Sequence, residues 1–219
     1  MGARRLPDGP EGRAEAARAL AAGGVVAFPT DTVYGIAVAL DTPGGIERLF
    51  AAKQRPLDKA IALLIADASQ AAELGELNAA ASALAAAFWP GGLTLVLPLR
   101  ADRSLPSALL GDPALAHPKV GVRVPDHDAP RALARAVGPL PTTSANRSGE
   151  PEARDADELD AQLGGALDLI LDGGPAHGGP ASTVVDTTTE PLRILREGAI
   201  SIDRVEACLT SAHLPGVGR

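Results

Sequence analysis

The chain is short of the residues that most often advertise chemistry. It has one cysteine, one tryptophan, one tyrosine and one methionine, and aromatics make up 2% of its 219 residues. A single thiol excludes an internal disulfide and a thiolate zinc cage, and Cys208 reads as a small packing residue of a terminal helix. No apolar run approaches the roughly 18 residues of a membrane span, and no apolar stretch follows Arg4-Arg5 as it would in a secretory leader. The expectation is a soluble, cytoplasmic protein with no membrane contact.

Positive charge is also scarce: 20 Lys and Arg against 27 Asp and Glu leave a net charge of -7. That disfavours a whole-surface nucleic-acid or anionic-membrane binder and confines any anion site to a local pocket. The histidines, His117, His127, His177 and His213, lack the i, i+4 spacing of a helical metal site. The glycine-rich loop 173–180 is closed by no Gly-Lys-Ser/Thr, so it is not a Walker A loop, and no nucleophile elbow is present. Covalent catalysis has no candidate residue.

What is present concentrates in residues 25–56, VVAFPTDTVYGIAVALDTPGGIERLFAAKQRP. The apolar run 25–28, bounded by Gly24 and Pro29, reads as a buried strand entering a turn. Pro29-Thr30-Asp31-Thr32 then sets three oxygen-bearing side chains in a row. A second apolar segment covers 34–40, and 43–52 reads as a helix that stops because Pro56 disfavours the α region at Arg55. Lys53 and Arg55 thus stand where a helix unravels. An extended backbone there directs both cations to one side, where they converge on an anion.

Along the rest of the chain, 1–9 has no periodicity and reads as a mobile tail, followed by a single domain over 10–210 and a C-terminal tail, 211–219. Helices are predicted at 10–22, 68–74, 78–88, 129–137, 155–163 and 202–209, with Asp155 as an N-cap and Glu158 three residues on. Strands are predicted at 61–66, 93–97, 120–124, 167–171 and 182–186, and 193–198 follows a turn at Pro191. Several strand pairs lack an intervening helix, which predicts an α/β fold with an open, twisted mixed sheet flanked by helices.

Taken one at a time, the polar segments leave two readings open. Lys53 and Arg55 also suit a helix C-terminus electrostatically. Ser144 and Asn146, in PTTSANRSG (141–149), make either a hydroxyl or Asx turn or a set of donors for phosphate oxygens and a ribose or base edge. Arg123 lies inside a strand, so it either faces solvent at a sheet edge or finds a carboxylate, for which a substrate is one source. Ser182 and Thr183 are either a plain strand start or hydroxyls at its mouth.

Together, VVAFPTDTVYG (25–35), KQRPLDKAIALLIA (53–66), WPGGLTLVLP (89–98), VGVRVPDH (120–127), PTTSANRSGEP (141–151), STVVD (182–186) and ILREGAI (194–200) closely resemble the threonylcarbamoyl-AMP synthase, or YrdC-like, family in its short form. The resemblance implies a deep, positively lined cavity. There ATP, L-threonine and bicarbonate or CO2 become threonylcarbamoyl-AMP and pyrophosphate, for the N6-threonylcarbamoyl modification of tRNA adenosine 37. It also implies Mg²⁺ with the ATP, downstream tRNA threonylcarbamoyl-transfer proteins as partners, and weak tRNA contact. Carried over by position, Thr32, Tyr34, Arg123, Thr142 and Ser182 serve threonine, with Tyr34 shaping the pocket. Lys53, Arg55, Lys59, Ser144, Asn146 and Arg196 line the nucleotide, and Lys53 and Arg55 are the catalytic cations. One departure is Leu64, where longer members carry histidine.

Two rival readings remain open from the residues. One is the carbamoyl-adenylate chemistry of hydrogenase maturation, which belongs to much larger chains. The other is a non-catalytic RNA-binding module, against which the acidic charge and scarce aromatics argue.

Overall fold

In the computed structural model, which describes residues 2–54, 61–110, 117–176 and 178–218, the apolar runs become short strands and the alanine-rich stretches become helices. In chain order these are β1 (Arg4–Pro7), α1 (Pro10–Ala21), β2 (Val26–Phe28), β3 (Gly35–Ala37), α2 (Gly45–Lys53), β4 (Ala62–Leu64), α3 (Ala68–Leu74), α4 (Ala79–Phe88) and β5 (Leu93–Pro98). There follow β6 (Lys119–Arg123), α5 (Asp128–Val137), β7 (Leu140–Ser144), α6 (Ala156–Leu163), β8 (Leu169–Asp172), β9 (Thr183–Asp186), β10 (Leu192–Arg196), α7 (Ile202–Ser211) and β11 (Val217–Gly218). Among the described residues they form one sheet in the order β1-β8-β2-β3-β7-β4-β6-β5-β9-β10-β11, with parallel and antiparallel pairs. The mixed open sheet with flanking helices is the one expected.

Side-chain capping sets several helix starts. Asn78 accepts from the Ala81 amide, Asp155 from the Asp157 and Glu158 amides, and Ser201 from the Arg204 amide, each supplying an acceptor to an otherwise orphan donor. Glu158 folds back onto Arg154, backbone and guanidinium alike.

Strand register sorts the side chains into two faces. Ile36, Leu63, Val122, Leu95 and Val185 belong to the larger core, shared with α2, α4, α6 and α7. On the opposite face Val26, Phe28, Ala37, Leu64, Leu140, Leu169 and Leu171 pack under Ala16 and Leu20 of α1 and Ala129 and Leu133 of α5. That second helical layer covers only part of the face. Further along it, beyond α1 and α5, the aligned positions Thr142 and Ala62, then Gly121, Val96 and Asp186, form the floor of a cavity.

Two expectations change. Within the supposed N-terminal tail, Arg4–Pro7 runs parallel to β8, with Leu6 opposite Leu171 and Arg5 ion-paired to Asp172 at 2.9 Å and to Asp157. One apolar residue in four gave no periodicity to read. In the supposed C-terminal tail, Val217–Gly218 pairs with β10.

Candidate active site

One end of the cavity is built around Arg123. It lies on β6, an interior strand, and is 7% exposed, so the solvent-facing reading fails. Its Nε donates to the Gly91 carbonyl at 2.9 Å, one terminal nitrogen donates to the Thr32 hydroxyl at 3.3 Å, and the other to Asp31 at 2.6 Å. The carboxylate it finds within the fold is therefore Asp31. The 29–33 turn is locked from inside: the Thr30 hydroxyl donates to the Val33 carbonyl at 2.6 Å and accepts from the Thr32 amide at 3.1 Å. That closure aims Asp31 and Thr32 at the guanidinium.

Beside Arg123, Ser182 enters from the loop before β9. Its hydroxyl lies 2.8 Å from that of Thr94, and Arg196 donates to its carbonyl at 3.0 and 2.8 Å and to its hydroxyl at 3.2 Å. Desolvation, together with Arg123 nearby, holds Arg196 below the ordinary arginine pKa, while Glu152 acts the other way. Two guanidiniums and three hydroxyls thus share this end.

Lys53 sits differently from expectation. It is the last residue of α2, is 2% exposed, and its ammonium donates to the Ser144 carbonyl at 2.5 Å, the Ser144 hydroxyl at 3.2 Å and the Asn146 side-chain oxygen at 2.9 Å. The Asn146 amide nitrogen donates to the carbonyls of Arg147 and Glu150 at 3.0 and 2.6 Å. Ser144 lines the cavity while Lys53 and Asn146 stand behind it. Gln54 is left-handed, φ 54° and ψ 40°, so the backbone leaving Lys53 is not the extended one expected. Arg55 and Lys59 lie outside the described residues.

Tyr34 and Thr142 both line the cavity. The Tyr34 hydroxyl, raised above its ordinary pKa mainly by burial, donates to the Gly174 carbonyl at 2.7 Å and accepts from the Gly173 amide at 3.1 Å. It tethers the glycine-rich loop and leaves its ring to the cavity. The Thr142 hydroxyl donates to the Leu140 carbonyl at 2.8 Å.

The cavity they share holds about 570 Å³, within the range of small-ligand sites. A model of the Sua5/YciO/YrdC family, described as "Telomere recombination", matches residues 18–198. The chain belongs to the Sua5/YciO/YrdC family. It is similar to the threonylcarbamoyl-AMP synthase of Bacillus subtilis (strain 168), with 37% identity over 203 residues, 92% of this chain and 57% of that protein. A putative threonylcarbamoyl-AMP synthase of Mycobacterium tuberculosis (strain ATCC 25618 / H37Rv) is 37% identical over 201 residues, 90% of this chain and 89% of the relative. The crystal structure of P. abyssi Sua5 complexed with L-threonine matches with a TM-score of 0.84 and 34% identity, over 94% of this chain and 59% of that one. The chain therefore spans just over half the length of the Bacillus and Pyrococcus relatives.

Within this Sua5/YciO/YrdC domain, reading by motif missed the far end of the cavity. Lys119, four residues before Arg123 on β6, donates to Asp186 at 3.0 Å, and Arg193 and Glu152 also reach the lining. The signal was available, because period-two alternation in KVGVR puts Lys119, Gly121 and Arg123 on one face. Burial alone would raise the Asp186 pKa, but hydrogen bonds from Thr188 and Lys119 outweigh it and hold the carboxyl below its ordinary value. Lys119, Arg123, Arg193 and Arg196 against Glu152 and Asp186 make the described lining net positive in an acidic chain. Among the described residues no cluster of three or more His, Cys, Asp or Glu is arranged to hold a metal, and no helix is long and apolar enough to cross a membrane.

Proposed function

We propose that this chain is an L-threonylcarbamoyladenylate synthase. It joins L-threonine, bicarbonate or CO2, and MgATP into threonylcarbamoyl-AMP with release of pyrophosphate, in the cytoplasm, for the modification of tRNA adenosine 37. The carrying observation is the Arg123, Thr32, Ser182, Thr94 and Arg196 end of the cavity, where hydroxyls surround the buried guanidinium of Arg123 and Arg196 reaches in from the exposed strand β10. The relative described as complexed with L-threonine supports the same reading.

In this scheme the threonine carboxylate sits against the guanidinium end, with Ser182, Thr32 and Thr142 orienting the amino acid. Its amine, once deprotonated, forms the N–C bond to CO2 and becomes an N-carboxylate. A carbamate oxygen then attacks the α-phosphorus, and the bond to the bridging oxygen breaks as pyrophosphate leaves with its electron pair. Both reactants are anionic, so fixed cations and alignment supply the catalysis and no protein nucleophile is needed. Arg196 and Ser144 face the phosphates, with Lys53 adding its charge through Ser144. Arg55 and Lys59 belong to the nucleotide site by motif. Mg²⁺ enters on the ATP phosphates as part of the substrate. The product goes to tRNA threonylcarbamoyl-transfer proteins, and contact with the tRNA itself is weak.

The test is pyrophosphate release with each co-substrate omitted in turn. A synthase of this kind requires both threonine and bicarbonate. Release that ignores threonine, or that needs carbamoyl phosphate, refutes the proposal, and a pure RNA binder releases nothing.

A further inference from the structure

The threonine and carbamate chemistry leaves one end of the cavity without a role. Lys119 and Arg123 on β6 are four residues apart, about 13 Å along a strand. Ser182 and Asp186 have the same spacing along β9, which runs parallel to β5 and therefore against β6. In register Val184 is level with Arg123 and Asp186 with Gly121, so Ser182 lies just beyond the guanidinium, and Lys119, two residues past Gly121, reaches back to Asp186, about 13 Å along β9 from Ser182.

Beside the pair, Gly121, Val96 and Val184 make an apolar floor. Gly121 has no conformational need to be glycine. A Cβ there would lie 3.6 Å from that of Ala62 and 3.8 Å from Thr94 Cγ2, ordinary contacts. A side chain would project into the cavity, so the absent one keeps the floor open to a close, flat ligand.

At the far end Asp186, 5% exposed, accepts from Lys119 on one oxygen, and from the Thr188 amide at 2.9 Å and hydroxyl at 2.6 Å on the other. A carboxylate has about four acceptor directions, so one remains. Lys119 spends one of its three donors on Asp186. Stability does not account for the pair, since a buried ion pair gains little over apolar residues of equal volume.

We infer that Lys119 and Asp186 determine base specificity: a purine lies flat over Gly121, with Asp186 accepting from its 6-amino group and Lys119 donating to the adjacent ring nitrogen. This rests on the reading of the chain as an ATP-using synthase. The ribose, phosphates and threonylcarbamoyl group then bridge the distance to Arg123. A purine without the amine forfeits one hydrogen bond to a charged acceptor, a loss of roughly 10- to 100-fold in affinity.

The experiment compares ATP with purine riboside 5′-triphosphate, which lacks the 6-amino group, by calorimetric binding and by pyrophosphate release. It uses the wild-type chain and the Lys119→Met/Asp186→Leu double variant, which removes both charges at similar volume. The wild type prefers ATP by the stated factor, and the double variant brings the two nucleotides to within about threefold. Equal wild-type binding of both, or an unchanged preference in the double variant, overturns the inference. If no nucleotide supports pyrophosphate release, the synthase reading falls, while the binding ratio still decides the role of the pair.

Discussion

Replacing Lys53 with methionine keeps the length of the side chain and removes the ammonium alone. The charge lies at 2% exposure and, among the described residues, donates to the Ser144 carbonyl, the Ser144 hydroxyl and the Asn146 amide oxygen. Hydrogen bonds to a charged donor contribute about 1.5–3 kcal/mol each, but the Ser144 hydroxyl still donates to Asn146, so the losses overlap. A total near 3 kcal/mol follows, a large share of the 5–15 kcal/mol typical of a domain. For a chain of this size that lowers Tm by roughly 6–12 °C. Thermal unfolding by circular dichroism reads it directly, and pyrophosphate release well below the transition reads function separately. Turnover falls about 10²-fold, as for a deleted charge-stabilising donor. An unchanged Tm would mean that Lys53 does not hold the 144–150 segment, and the account of this wall would be wrong.

Arg123→Met leaves the half-buried Asp31 without its cation, so the variant loses roughly 1–3 kcal/mol of stability and its threonine dependence together, measured by urea unfolding and by threonine titration; retention of the wild-type KM for threonine counts against the placement. Gly121→Leu fills the floor from a position with room for a Cβ, so nucleotide binding drops at least about 10-fold while Tm moves by less than about 3 °C, and calorimetry checks both. His127 caps α5 by accepting from the Ala129 amide at 3.1 Å through Nδ1, and burial holds its pKa below the ordinary 6.5. The unfolded chain therefore takes up this proton first, so the contribution is present above pH 6.5 and is lost as pH falls toward the folded value. His127→Asn, which retains a cap without titrating there, flattens that part of the stability profile in urea melts at a series of pH values.

Much of the fold was legible because its elements are marked locally. Val26–Phe28 and Leu93–Pro98 are apolar runs between turn residues, and Asp155 sits at a helix start with Glu158 three residues on. Arg4–Pro7 was not, because its place depends on pairing with β8, more than 160 residues away. The cavity shows the same division. Thr32, Arg123, Ser144 and Ser182 were found by motif, and they do converge. Lys119 and Asp186 were not, because their meeting depends on the register of three strands, which no single segment records. The posture of Lys53 was missed because it turns on the left-handed Gln54, at a residue without the glycine that usually marks that conformation.

Because the cavity floor is a pleated surface, its length behaves as a ruler graduated in pairs of residues. Inserting one residue into Lys119–Arg123 would turn Val120 or Val122 inward and bury the charges in the apolar core, while inserting two would keep the facing and move the ends apart by roughly 7 Å. Enlarging the site for a longer ligand thus means adding such pairs in neighbouring strands at once, whereas narrowing it takes a single side chain at Gly121.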